Sequence, residues 1–224
     1  MSEPIVLGVD RYARGWIGAL VDASGSVTFR VDRLLGALVE DANAAVCVAV
    51  DMPIGLPESG PREADVKARA FVGPRWSSVF MTPPRAVLKA TSFEEANKVA
   101  PTLLDGKKIS QQAWALRTTI LDVGTAADQD QRIIEVHPEV SFRAMVGHPI
   151  TFSKHSWNGT TTRRRALADQ GLVIPDVLDH GGDVPAADVL DALAAAWTAR
   201  RFAVGKASAL PAGAERGQRS VIWY

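Results

Sequence analysis

Ile5-Val-Leu-Gly-Val-Asp10 and Ala44-Ala-Val-Cys-Val-Ala-Val-Asp51 are the two stretches on which the fold of this chain turns. Each is a run of β-branched and small apolar residues that stops at an aspartate. The second is apolar at every position, the pattern of a strand covered on both faces. Met-Pro-Ile-Gly-Leu-Pro57 breaks the chain directly after it. Outward from the first stretch, residues 16–21 and 27–30 are further strand-like runs, separated by the turn Asp22-Ala-Ser-Gly25. These three make an antiparallel meander. Asp32 reads as the N-cap of a helix carrying Leu34, Leu35, Leu38 and Val39 at helical spacing. The order is strand, strand, strand, helix, strand.

The next segment changes character. Residues 57–130 are rich in Pro, Arg and Lys, with helical stretches at 63–71, 93–99 and 111–123, and read as a helical insertion beside the sheet. Residues 132–136 return as a strand, followed by His137-Pro-Glu139. Residues 149–162 read as loop. A short helix over 163–170 closes on Gly171 in the position that favours a left-handed cap. Residues 186–204 form the strongest helix, with Leu190, Leu193, Ala194, Trp197 and Ala199 on its apolar face.

Composition narrows the function classes. The chain has 224 residues, 47% of them apolar, enough for one large domain, taken as residues 1–224 with 57–130 inserted. Lys+Arg and Asp+Glu balance at 25 each, which argues against a disordered polyelectrolyte or a basic nucleic-acid coat protein. The single cysteine, Cys47, lies in an apolar run and reads as core, so a disulfide framework is excluded. Met1-Ser-Glu-Pro has no basic leader pattern and no run reaches membrane-spanning length, so a cytoplasmic location and no membrane partner are expected.

Carboxylates gather where elements end. Asp10 and Asp51 end strands, Glu135 and Glu139 flank the end of the later strand, and Asp188 and Asp191 lie three apart on one face of the last helix. Acids on an otherwise apolar helix conflict with burial, and a divalent cation such as Mg²⁺ or Mn²⁺ removes that conflict. The expected chemistry is a two-metal phosphodiester hydrolysis, with ions about 3.5–4 Å apart. Asp10, Asp51 and Asp191 are the candidate metal ligands; Asp188, Glu135 and Glu139 complete the candidate catalytic set. Plainer readings stand beside these: Asp51 as a turn former, Asp188 as a first-turn helix acid, and Asp10 paired with Arg11 or Arg14.

Several motifs carry a resemblance. Gly8-Val-Asp10, Val50-Asp-Met-Pro-Ile-Gly-Leu56, Arg75-Trp-Ser-Ser-Val-Phe80, Ser110-Gln-Gln-Ala-Trp114, Glu135-Val-His-Pro-Glu139 and the final Asp-Ala-Leu helix resemble an uncharacterised bacterial family of predicted RNase H-like nucleases, the domain-of-unknown-function family four-two-nine. The last helix is similar to that of RuvC-type Holliday-junction resolvases, where two acids three apart precede Ala-Leu-Ala. The resemblance implies an α/β RNase H-like mixed five-stranded sheet flanked by helices, with a helical insertion between the fourth and fifth strands. It also implies that Asp10, Asp51, Asp188 and Asp191 stand at the positions of the superfamily's acids. Asp51 is shorter than the glutamate that resolvases carry there, and Glu135 and Glu139 have no counterpart in that pattern.

Candidate substrate contacts are Arg75, Lys154, Arg163 and Arg164. Arg163-Arg164-Arg165 at the start of a helix would suit a phosphate docked on free N–H groups, with His155 and Trp157 upstream for base stacking; a solvated surface patch is the plainer alternative. His137 is the best-placed histidine for proton transfer or water positioning. Structured or single-stranded nucleic acid is the expected substrate, and a homodimer is left open. Two rivals remain: a non-catalytic nucleic-acid or protein binding module, and an ATP-dependent phosphotransferase of the actin-like or sugar-kinase type. The phosphate loop of that second class is poorly matched by Arg11-Tyr-Ala-Arg-Gly15.

Overall fold

The structure, a computed structural model, describes residues 3–172, 174–178 and 180–224. Met1 and Ser2, part of the leader reading, lie outside them. β1 (Val6–Tyr12), β2 (Gly15–Val21) and β3 (Val27–Asp32) form the meander, followed by α1 (Leu35–Asp41) and β4 (Cys47–Val50). α2 (Glu63–Val72), a 3-10 turn (Gly73–Ser78), α3 (Arg85–Leu88), α4 (Phe93–Leu103), α5 (Gln111–Ala115) and α6 (Arg117–Gln129) intervene before β5 (Ile133–Glu135). Then come α7 (Pro138–Val146), α8 (Trp157–Asp169), α9 (Ala186–Ala203) and a small sheet of β6 (Ala209–Leu210) and β7 (Ile222–Trp223).

The main sheet has the order β3-β2-β1-β4-β5. The meander pairs antiparallel, while β1, β4 and β5 pair parallel. This mixed five-stranded sheet with helices inserted between its fourth and fifth strands is consistent with an RNase H-like fold. Alternation along the strands sorts the core into two layers. Val6, Cys47, Ala49 and Ile134 face α9, against Leu190, Leu193 and Ala196. Leu7, Val9, Val48, Val50 and Ile133 face α1 and α6, against Leu38, Val39, Ile120 and Val123. Each such aliphatic side chain contributes about 1.5–3 kcal/mol by burial. Cys47 belongs to this core, and burial pushes its thiol up to about 12.

Gly8 sets the distance between β1 and α9. A Cβ on it would lie 2.1 Å from the Ala196 nitrogen and 2.2 Å from the Ala192 oxygen. Only a glycine lets the helix backbone lie directly on the strand there, and Ala192, Ala194, Ala195 and Ala196 keep the seam thin.

Four sequence expectations need correction. Asp32 does not cap α1. It is the last residue of β3, its Oδ1 accepts the Leu34 N–H at 2.8 Å, and α1 starts at Leu35 with no side-chain cap. Residues 111–123 are two helices, because Leu116 turns the chain between α5 and α6. The strand expected to end before Asp10 continues through it to Tyr12, pairing Asp10 with Ile17. Residues 149–162 are not all loop: Ser156 caps α8 by accepting the Gly159 N–H at 3.1 Å, so that helix begins at Trp157. Arg163, Arg164 and Arg165 therefore sit mid-helix, where the backbone N–H groups are already bonded, and no phosphate can dock on them.

Candidate metal centre

The parallel register of β1 and β4 brings the first two acids together. Val9 pairs with Val50, and the Asp51 N–H donates to the Val9 carbonyl at 3.0 Å. Asp10 and Asp51 therefore leave the sheet side by side, on the face covered by α9. That helix runs antiparallel to β1 across the Gly8 contact, so its first two turns reach the same sheet end. One carboxylate oxygen each from Asp10, Asp188 and Asp191 lies within 4.8 Å of the others. Asp10 and Asp191 are buried, and Asp188 is half-buried in the first turn of α9.

The electrostatics are those of a crowded, partly compensated cage. Burial raises the Asp10 pKa well above the usual aspartate range, and the neighbouring Asp51 and Asp191 add to it. Burial pushes Asp191 up to about 6, against the pull of Lys154. Burial likewise raises Asp51 and Asp188. Lys154 answers part of this charge: its Nζ lies 2.5 Å from Asp191 Oδ2 and 3.9 Å from Asp188 Oδ1. Burial disfavours its ammonium, but Asp191 and then Asp10 and Asp51 hold its pKa above the ordinary value. The other oxygen of Asp191, Oδ1, is buried and has no hydrogen-bond partner. An orphaned buried carboxylate oxygen beside two further carboxylates fits a hard divalent cation, whose preferred donors are carboxylate and water oxygens.

Lys154 is held in place by its backbone. Thr160 Oγ1 donates to its carbonyl at 3.0 Å, and Ser156 Oγ donates to the Ser153 carbonyl at 2.8 Å. A Cβ on Gly159 would lie 1.8 Å from that same Ser153 oxygen, so α8 closes tightly over the segment that carries the lysine.

The two glutamates each hold a buried arginine. Glu135 pairs with Val50, one residue out of phase with Asp51, and so projects to the opposite face of the sheet. There it is gripped by both Nη atoms of Arg62, at 2.7 Å from Nη1, and accepts the Ile54 N–H at 2.6 Å. Arg62 also bonds Asp65 at 2.8 Å. Burial works against the Arg62 charge, yet Glu135 holds its pKa above the ordinary value. Glu135 is thus ion-paired with Arg62 and also lines the cleft that opens on the acids. Glu139 receives Arg163 Nη2 on both oxygens at 2.7 Å, with Arg75 Nε 3.7 Å away. Arg163 is fully buried in this pair and has no surface to offer a substrate. Arg164, exposed on α8, does not line the cleft described next.

A cleft of about 330 Å³ opens on the acids. Asp10, Asp51, Asp188, Asp191 and Glu139 line it together with His137, Lys154, Arg75 and Arg11. The 3-10 turn and α5 form its outer wall through Ser78 and Gln112. Arg11 and Gln112 escaped sequence reasoning. Each had a signal: Arg11 follows Asp10 in the same strand, and Gln112 lies in the motif Ser110-Gln-Gln-Ala-Trp114. No helix among the described residues is long and apolar enough to cross a membrane.

The fold and the site define a class: an α/β protein with a five-stranded mixed sheet and an acidic cluster able to hold a metal ion at the sheet's end. The family described as Protein of unknown function (DUF429) matches residues 8–216, and the chain belongs to it. No curated protein and no solved structure matches the chain.

Proposed function

We propose that the chain is a metal-dependent nuclease that hydrolyses phosphodiester bonds of DNA or RNA. The observation that carries this reading is the convergence of Asp10, Asp188 and Asp191 around a buried, partnerless Asp191 Oδ1. These three would hold the ion, Mg²⁺ or Mn²⁺ by the hardness of the donors. When bound, such an ion supplies charge compensation at phosphate oxygens and activation of water. Asp51 stands beside Asp10 with a raised pKa and takes the proton that the attacking water gives up. His137, which lines the cleft near Asp51, returns a proton to the oxygen that leaves phosphorus. Arg75 and Arg11 offer N–H donors to the phosphate.

One observation favours a second reading. Lys154 already sits on Asp191, so the acids can close on their own cation and the cleft can bind nucleic acid without turnover. Calorimetric titration with Mn²⁺, together with cleavage of labelled single-stranded and branched oligonucleotides, separates the two. We expect Mn²⁺ binding and Mn²⁺-dependent cleavage, both abolished in folded Asp10→Asn and Asp191→Asn proteins. Full cleavage by Asp10→Asn, or no Mn²⁺ binding by the wild type, sinks the nuclease reading.

A further inference from the structure

The large hydrophobic side chains left exposed among the described residues include three aromatics: Trp76, at 54% exposure, Phe152, at 48%, and Trp157, at 84%. All three lie in the chain beside residues that line the cleft, without lining it themselves. Trp76 is on the 3-10 turn, between the cleft-lining Arg75 and Ser78. Phe152 and Trp157 flank Lys154 and His155, which also line the cleft. The two segments meet, for Gly73 at the start of the turn lies against Pro149. Trp16, Trp197 and Trp223 are buried in the core. Several exposed aromatics near one cleft are the kind of apolar surface that marks an interaction site.

We infer that this rim is a stacking platform for unpaired bases, and that the cleft takes the end or a flipped-out nucleotide of a single strand rather than an intact duplex. The inference rests on the nuclease reading of the same cleft and names its substrate class. Three observations converge on it. A cavity of about 330 Å³ is at the small end of single-ligand pockets, roughly 300–1,000 Å³, and so admits about one nucleotide. The chain has 25 basic and 25 acidic residues, so duplex affinity from phosphate neutralisation alone is weak. Base–aromatic stacking supplies affinity without clustered charge and tolerates any sequence. Arg69, which lies 5.2 Å over the Trp76 ring, holds one platform in place by a cation–π contact.

The test measures anisotropy of a labelled twelve-residue oligothymidylate and of a blunt duplex of the same length, bound to full-length protein in EDTA, alongside Mn²⁺-dependent cleavage. The single strand should bind at least tenfold more tightly than the duplex. Trp76→Ala and Trp157→Ala should each weaken it by roughly fivefold or more, with unchanged melting temperatures, while Trp157→Phe keeps most of the affinity. Equal duplex binding, or wild-type affinity in both alanine variants, overturns the inference. So does a loss of self-association in those variants in place of oligonucleotide binding, which would assign the aromatics to a protein contact. Cleavage indifferent to both tryptophans leaves hydrolysis standing and removes the platform. Tryptophan-dependent binding without cleavage does the reverse.

Discussion

Lys154 Nζ lies 2.5 Å from Asp191 Oδ2, inside the group of acids that an ion would share. The lysine and a divalent cation therefore compete for the same carboxylate. Lys154→Met should bind Mn²⁺ more tightly than the wild type, by about tenfold, and melt earlier in EDTA at neutral pH. The loss arises because four neighbouring acids then face one another without a counter-charge. Titration calorimetry and thermal melts read both effects, and a variant with wild-type Mn²⁺ affinity would show that the lysine is not a competitor.

The cage should also make metal-free stability depend on pH in an unusual direction. Asp191 titrates near 6 in the folded protein, and Asp10, Asp51 and Asp188 are also raised above their ordinary values. Acids raised on folding take up protons in the native state before the unfolded state does. Their contribution is therefore favourable at low pH and is lost as pH climbs through about 6. Melting temperature in EDTA should rise on going from about pH 7.5 to about pH 5.5. Asp191→Asn should reduce that slope, and Mn²⁺ should reverse it, because the ion requires the charged carboxylates. Acids with lowered pKa values, such as Asp130 beside Arg132, oppose the trend only below about pH 4.

Arg163 and Glu139 form a buried two-pronged pair. Arg163→Met should cost about 3–5 kcal/mol in urea unfolding, because it strands a buried carboxylate. Adding Glu139→Leu should recover most of that loss. A mild effect of Arg163→Met on stability with a large one on oligonucleotide affinity would falsify the structural role.

Gly8→Ala should be far more damaging than its size suggests. Its Cβ would meet the backbone of α9 at Ala192 and Ala196, which cannot swing aside as a side chain can. Overpacking of this kind costs about 1–3 kcal/mol or more, and the displaced helix should also lower Mn²⁺ affinity. Gly18→Ala, whose nearest neighbour is the flexible end of Leu7 at 3.1 Å, serves as the mild control.

Much of this architecture is legible in the chain. The runs ending near Asp10 and Asp51 announce two strands, and the three-residue spacing of Asp188 and Asp191 puts both on one helix face. What the sequence hides is decided by partners far along the chain. Ile133-Ile-Glu-Val136 does not alternate in polarity, so nothing local says which face Glu135 takes; its register with Val50 decides that. Three consecutive arginines look like a wet surface, and only Glu139, on α7, explains why Arg163 is dry. Trp157-Asn-Gly-Thr-Thr-Thr is poor in helix formers, yet the Ser156 cap and the close approach at Gly159 start α8 there. The same turn aims Lys154 at the acids, which no spacing rule would disclose.

The cage is assembled from the first strand and the last long helix. On the ribosome, Asp10 and Asp51 emerge long before Asp188 and Asp191. An ion held by that cage would thus load only once the last long helix has docked, and would bear on how long the finished fold survives rather than on whether the nascent chain finds it.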